Sequence, residues 1–113
     1  MFLFLLFVIY TGFVYTVGTK GPSIVMNADA IKGKLLYQKY NCTACHQLYG
    51  LGGYLGPELT TVISQKGKGS LYADAIMKSG TERMPDFHLP DIERQQLIAF
   101  FTYVDSTAIT YKN

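Results

Sequence analysis

Charge is scarce in this sequence: Asp, Glu, Lys and Arg make up 16% of its 113 residues, and the formal net charge is +2. Nucleic-acid binders gather their cations into aromatic-interleaved stripes, whereas Lys32, Lys34, Lys39, Lys66 and Lys68 are scattered. Nucleic acid is therefore excluded as a partner. Cysteine and histidine are rarer still, with two of each. A structural zinc site needs four tetrahedral ligands, and Cys42, Cys45, His46 and His88 would supply them only if the adjacent Cys45-His46 pair both bound, for which it is poorly placed. No internal repeat or low-complexity tract is present, and no run alternates like a strand for long enough to build a sheet. What is left is one small domain with helical patterning, expected to be all-α.

The opening run, Met1 to Val17, carries no charged side chain and is apolar on every helical face. As a helix it would be roughly 26 Å long, the lower end of what spans a hydrocarbon core. The expectation is a transmembrane anchor over residues 1–18. A cleaved secretory signal is the competing reading, with Ala28-Asp29-Ala30 as its small-x-small site. A basic segment ahead of the apolar run is missing for that reading, and Ala30 lies farther past Val17 than a cleavage site normally does. Both readings put the remainder outside the cytoplasm.

Residues 19–26, with the turn-forming Gly21-Pro22 pair, read as a linker. In the domain, expected over residues 27–105, Ile31, Leu35, Leu36 and Tyr40 recur at helical spacing behind the candidate caps Asn27 and Asp29. From Leu48 to Gly69 glycine is frequent, which predicts irregular chain with a short turn near Leu59 to Ser64. Wrapping a flat cofactor is a reason for so long an irregular segment in a small domain. Ser70 is placed to cap a helix ending at Gly80, and Pro90-Asp91 to open another whose broad apolar face is Ile92, Leu97, Phe100, Phe101 and Val104. Gly33 is unfavourable inside a helix and predicts a close crossing against Phe100 and Phe101. Residues 106–113 are left as a tail.

Chemistry concentrates at Cys42-Thr43-Ala44-Cys45-His46. The C-x-x-C-H spacing lets one helical turn present two thiols to the vinyl edge of one porphyrin while the following imidazole projects under the iron. A thioredoxin-like dithiol would need a βαβ context that the chain lacks. A plain disulfide would close a very small loop and leave His46 unexplained. The reading is one covalent haem c bound through Cys42 and Cys45, with His46 as axial ligand. For the second axial position a thioether favours a higher potential than a second imidazole. Met77 lies inside a helix and reads as core, whereas Met84, after a helix end and before Pro85, can offer its sulfur from a loop; Met84 is chosen, with His88 as the alternative. The carbonyl of Pro57 can accept the His46 Nδ1 proton and so fix the tautomer.

These motifs resemble the class I cytochrome c family: an N-terminal helix, Cys-x-x-Cys-His, Gly56-Pro57-Glu58-Leu59, a Met ligand and a C-terminal helix. More narrowly, Asn41 to Leu59, Met84-Pro-Asp-Phe-His-Leu89 and Tyr103-Val-Asp105 are similar to the small membrane-anchored c-type cytochrome of respiratory nitric oxide reductase. The resemblance implies a class I cytochrome c fold behind a single inner-membrane span, with the domain in the periplasm. It also implies a soluble periplasmic electron donor and a large membrane catalytic subunit with haem b, where two NO become N2O and water. It implies that this chain is not an enzyme on its own. By position it assigns Cys42 and Cys45 to haem attachment, His46 and Met84 to the iron, Pro57 to His46, and Gly52 and Tyr54 to the neighbourhood of a calcium ion at the subunit interface. Related anchored cytochromes that donate to haem-copper oxidases or nitrous oxide reductase share the haem motifs, and a free-standing anchored shuttle is the second functional expectation. An enzyme using an open haem iron would require that Met84 not bind.

Overall fold

The computed structural model of the chain describes residues 1–18 and 25–108. Four α-helices dominate: α1 Phe2–Phe13, α2 Ala28–Lys39, α3 Ser70–Ser79 and α4 Asp91–Thr107. The expected helical domain is therefore present, although most of the expected linker and the end of the expected tail, residues 19–24 and 109–113, lie outside the described residues. Helix α4 continues to Thr107, past the boundary expected at Asp105.

Helix α1 buries none of its residues and passes into a π-helical turn at Val14–Gly18. Among the described residues no helix is long and apolar enough to cross a membrane. The twelve residues of α1 rise only about 18 Å at 1.5 Å each. The apolar character that the sequence displayed is there, but among the described residues there is no full-length spanning helix.

The start of α2 is fixed locally. Asn27 stands in an extended conformation at the N-cap and its side chain accepts from the Ala30 N–H at 2.8 Å, so one orphan donor of the first turn is satisfied. Its buried residues are Ala30, Gly33 and Tyr37; of the apolar residues at helical spacing, Leu36 and Tyr40 pack partly buried against the core, whereas Ile31 and Leu35 are 47% and 59% exposed. At Gly33 α4 crosses closely: a Cβ there would stand 2.0 Å from the Gln96 carbonyl oxygen and 2.8 Å from Phe100 Cβ. The crossing expected of Gly33 is realised at the level of backbone contact. Tyr37 then packs between Phe100 and Phe101, with ring centroids 5.6 and 5.9 Å away. Its hydroxyl is buried without a hydrogen-bond partner among the described residues, and burial holds it well above the ordinary phenol pKa.

Helix α4 contributes Leu97, Phe100, Phe101 and Val104 to the core, as its periodicity predicts. Ile92 is 59% exposed, and the buried side chain of that first turn is Arg94 instead. At the other end of α2, the Tyr40 hydroxyl donates to Glu93 at 2.8 Å, and toward the end of α4 Asp105 accepts from the Ser64 N–H and hydroxyl at 2.9 and 2.8 Å. Helix α3 begins at Ser70 without a side-chain cap, the N-cap position being Gly69, and ends at Gly80 with φ +67°.

One element departs from the expected absence of strands. Gln47–Leu48 (β1) pairs antiparallel with Leu51–Gly52 (β2), with Gln47 opposite Gly52 and Leu48 opposite Leu51. Tyr49 and Gly50 between them both have positive φ, 54° and 79°, the requirement of a two-residue hairpin turn whose twist matches its strands. Two-residue strands leave no period for sequence patterning to display.

Gly33→Ala should cost about 3 kcal/mol, at the upper end for forced overpacking, because the clashing atom is backbone and cannot rotate away. A fall in the urea midpoint without a change in slope is the expected result, and a midpoint within error of the parent would show that the helices separate freely.

Candidate haem-binding site

Asn41 takes a left-handed conformation (φ 54°) directly after α2 and turns the chain into the 3-10 turn Cys42–Ala44. Asparagine tolerates that conformation better than most residues. The turn brings Cys42, Cys45 and His46 onto the wall of one cavity of about 220 Å³. That wall is overwhelmingly apolar, and its other sides come from Leu59 and Val62, from Ala73 and Met77 on α3, from the Met84–Leu89 loop and from Leu97 and Phe101 on α4.

Both cysteines are free and half-buried. Burial pushes the Cys42 thiol up to about 11, with the neighbouring Cys45 adding to the rise. A dithiol oxidoreductase needs the opposite, a depressed pKa that exposes a thiolate at neutral pH. Cys42 is thus kept as a neutral thiol in apolar surroundings.

His46 is held on its outer side. Its Nδ1 lies 2.9 Å from the Pro57 carbonyl oxygen, so the ring donates there and its Nε2 is left as the basic nitrogen. Gly56 lies flat against the ring: an added Cβ would stand 2.5 Å from Cε1 and 2.6 Å from Nδ1. Backbone bonds close the wrap, from Gly53 N–H to the Thr43 carbonyl (2.8 Å), Gly56 N–H to Cys45 (2.6 Å) and Leu59 N–H to Gln47 (2.9 Å). The buried Gln47 amide donates to the Gly53 and Gly56 carbonyls from inside. Sequence reading missed Gln47; the only signal was a polar residue directly after the motif. Gly52 also packs on the turn, where a Cβ would meet the His46 carbonyl at 2.0 Å. Tyr54 is 85% exposed and does not line the cavity.

Met84 is partly buried and lines the cavity from the loop between α3 and α4. Its N–H donates to Thr81 Oγ1 at 3.0 Å, and the Thr81 N–H donates back to its carbonyl at 2.8 Å. Met77 is on the wall too, within α3 and the core cluster. The His88 side chain is 87% exposed, interacts with Asp86, and is not on the wall. The cationic side chains on the wall, Lys68 and Arg83, have no acidic partner within salt-bridge distance among the described residues.

These residues fit haem c. Two thiols are adjacent on one wall, an imidazole presents a free Nε2, a glycine has no side chain where the ring must pack, and two cations suit a pair of propionates. Such a site on a helical scaffold defines a c-type cytochrome domain. The chain belongs to the family described as cytochrome C oxidase, cbb3-type, subunit III, which matches residues 28–103. It is also similar to the C subunits of several nitric oxide reductases. That of Cereibacter sphaeroides is 29% identical over 68% of this chain and 60% of its own length. Those of Halomonas halodenitrificans (27%, covering 93% of this chain and 79% of the relative) and Stutzerimonas stutzeri (26%, 69% and 60%) are comparable. The chain thus spans about 60% of the length of two of these relatives and more of the third.

Gly56→Val should leave covalent attachment through both cysteines possible but displace His46, since the nearest atoms belong to the ring itself. The expected outcome is a loss of the low-spin Soret and α bands in the purified holoprotein. Unchanged bands would mean that the ring has room to move.

Proposed function

We propose that this chain is the electron-carrying c-type cytochrome of a membrane respiratory complex of the nitric oxide reductase kind. The observation that carries the reading is the convergence of Cys42, Cys45, His46 and Met84 on one apolar cavity, together with the similarity to the C subunits of nitric oxide reductases. Haem c supplies one-electron Fe(III)/Fe(II) cycling when bound. Cys42 and Cys45 would hold it covalently, His46 and Met84 would supply its iron ligands, and Pro57 keeps the His46 proton on Nδ1. The apolar wall excludes water and limits solvent rearrangement between the two oxidation states. The chain binds no substrate of its own and is not an enzyme by itself.

Residues 27–105 form the cytochrome domain, and 1–18, which bury nothing within the chain, form the membrane anchor in this reading, joined by 19–26 and followed by the tail 106–113. The domain faces the periplasm from the inner membrane, takes electrons from a soluble periplasmic donor and passes them to a large catalytic subunit with haem b. A calcium ion at the subunit interface would take Gly52 and Tyr54 only together with ligands from that partner, because among the described residues no three His, Cys, Asp or Glu side chains gather. The family's description favours one other acceptor, a haem-copper oxidase, for the same anchored electron carrier.

In the holoprotein Met84→Ala should change the haem spectrum, and His88→Ala should not. The reverse pattern would move the second ligand to His88. Co-purification from native membranes, with haem analysis and an NO-consumption assay, tests the partner: a haem b-containing protein with NO turnover is expected. A partner that reduces only oxygen, or a lone c-type chain, would overturn the reductase reading. Leu6→Ser with Phe13→Ser, on one face of α1, should abolish the co-purification while leaving haem attached.

A further inference from the structure

Arg94 occupies a place where the pattern of α4 calls for an apolar side chain. It is 7% exposed, and a cation is retained at such a place only through its partners. Its guanidinium reaches three parts of the chain at once. Nε donates to Asp74 Oδ1 on α3 at 2.8 Å, Nη1 to the Leu89 carbonyl at 2.7 Å, and Nη2 to Asp91 in the first turn of α4. Asp91 is 81% exposed at its side chain, so as an ion pair it contributes little, whereas Asp74, 37% exposed, accepts the Nε bond that ties α3 to α4. The bond to Leu89 differs, because it is buried, and removing the donor would leave a carbonyl with no water to replace it.

Leu89 closes the loop that carries Met84, and α3, which bears Asp74, opens it. Between Gly80 and Pro90 there is no regular element. The bonds between Thr81 and Met84 and between Asp86 and His88 lie within the loop, so they shape it without attaching it to the scaffold. Attachment comes from the Phe87 ring against Tyr40, from the burial of Leu89, and from Arg94. We propose that Arg94 is a positioning residue for Met84, tying both ends of its loop to α4 so that the thioether stays on the cavity wall. The proposal rests on the reading of Met84 as the second axial ligand.

Free imidazole competes with the thioether for ferric iron, and its apparent affinity scales with the fraction of molecules in which Met84 is away. Titration of the full-length ferric holoprotein, followed at the Soret band, reads that fraction. Arg94→Met should bind imidazole about tenfold more tightly than the parent, the population change that one lost charge-assisted hydrogen bond corresponds to. Arg94→Lys, which keeps the charge but loses the fork, should fall between. Ser64→Ala removes the hydroxyl bond to Asp105 near the far end of α4 and serves as a control for destabilisation; it should leave imidazole affinity unchanged. Equal tightening in Arg94→Met and Ser64→Ala, or none in Arg94→Met, overturns the proposal. If neither Arg94 variant yields holoprotein, Asp74→Ala carries the test, with tightening expected in the same direction and none overturning it. Met84→Ala, titrated alongside, must bind more tightly than all of them. Parent affinity there would overturn the ligand reading and the proposal together, whereas tightening in Met84→Ala with none in Arg94→Met overturns the tie alone.

Discussion

The backbones of α2 and α4 meet at Gly33, where there is no space for a β-carbon between one helix and the Gln96 carbonyl of the other. Helices packed through side chains lie 8–10 Å apart in general, and a contact with backbone fixes their separation and crossing point more tightly. The positions of Tyr37, Phe100 and Phe101 follow from that crossing, and so does the direction in which α2 delivers the chain to Asn41. The cysteine-bearing turn is in this sense an extension of the helix crossing. Its place relative to α4, and therefore to the opposite cavity wall, depends on how closely the two helices approach.

Around His46 the chain uses the same device on a smaller scale. Gly52, Gly53 and Gly56 each stand where a side chain would collide with the cysteine–histidine turn, so the following segment lies on it with backbone contact. The gain is chemical as well as steric. A carbonyl can be brought to 2.9 Å from Nδ1 only if the residue before Pro57 is thin enough to pass the ring, and Gly56 satisfies that condition. Tautomer and ring orientation are thereby set before any ligand occupies Nε2. Gln47, bonded to the carbonyls of Gly53 and Gly56 from the inside, keeps the wrap from opening.

The opposite wall is built on another principle. It has no cysteine anchor, and the close backbone approach of Gly80 to Met84 and Asp86 lies within the loop itself, which a buried arginine closes at Leu89. Met84 stands on that loop, so its place on the cavity wall depends on how the loop is attached. The two walls meet across an apolar space in which charge is confined to Lys68 and Arg83.

Much of the site was legible in the sequence, because covalent chemistry fixes spacing. Cys42, Cys45 and His46 must be separated as they are for one turn to present them, and Pro57 can buttress His46 whichever way the intervening loop runs. The helix ends were legible at Asn27, Gly80 and Pro90 for local reasons: caps and turn residues act within a few positions. The core face of α2 was not. Ile31 and Leu35 are apolar at the right period, yet Ala30, Gly33 and Tyr37 are buried, because how closely two helices approach depends on both partners. Arg94 in place of Ile92, the two-residue hairpin at Tyr49-Gly50 and the role of Gln47 were hidden for the same kind of reason. Each depends on groups far away in sequence, such as Leu89 and Asp74 for the arginine or the carbonyls of Gly53 and Gly56 for the glutamine. The sequence by itself determined which residues are candidates for the chemistry, since bond lengths and motif spacing are local. Only the tertiary structure decided which helix faces meet, which polar groups are buried with partners, and that Met84 rather than His88 stands on the cavity wall.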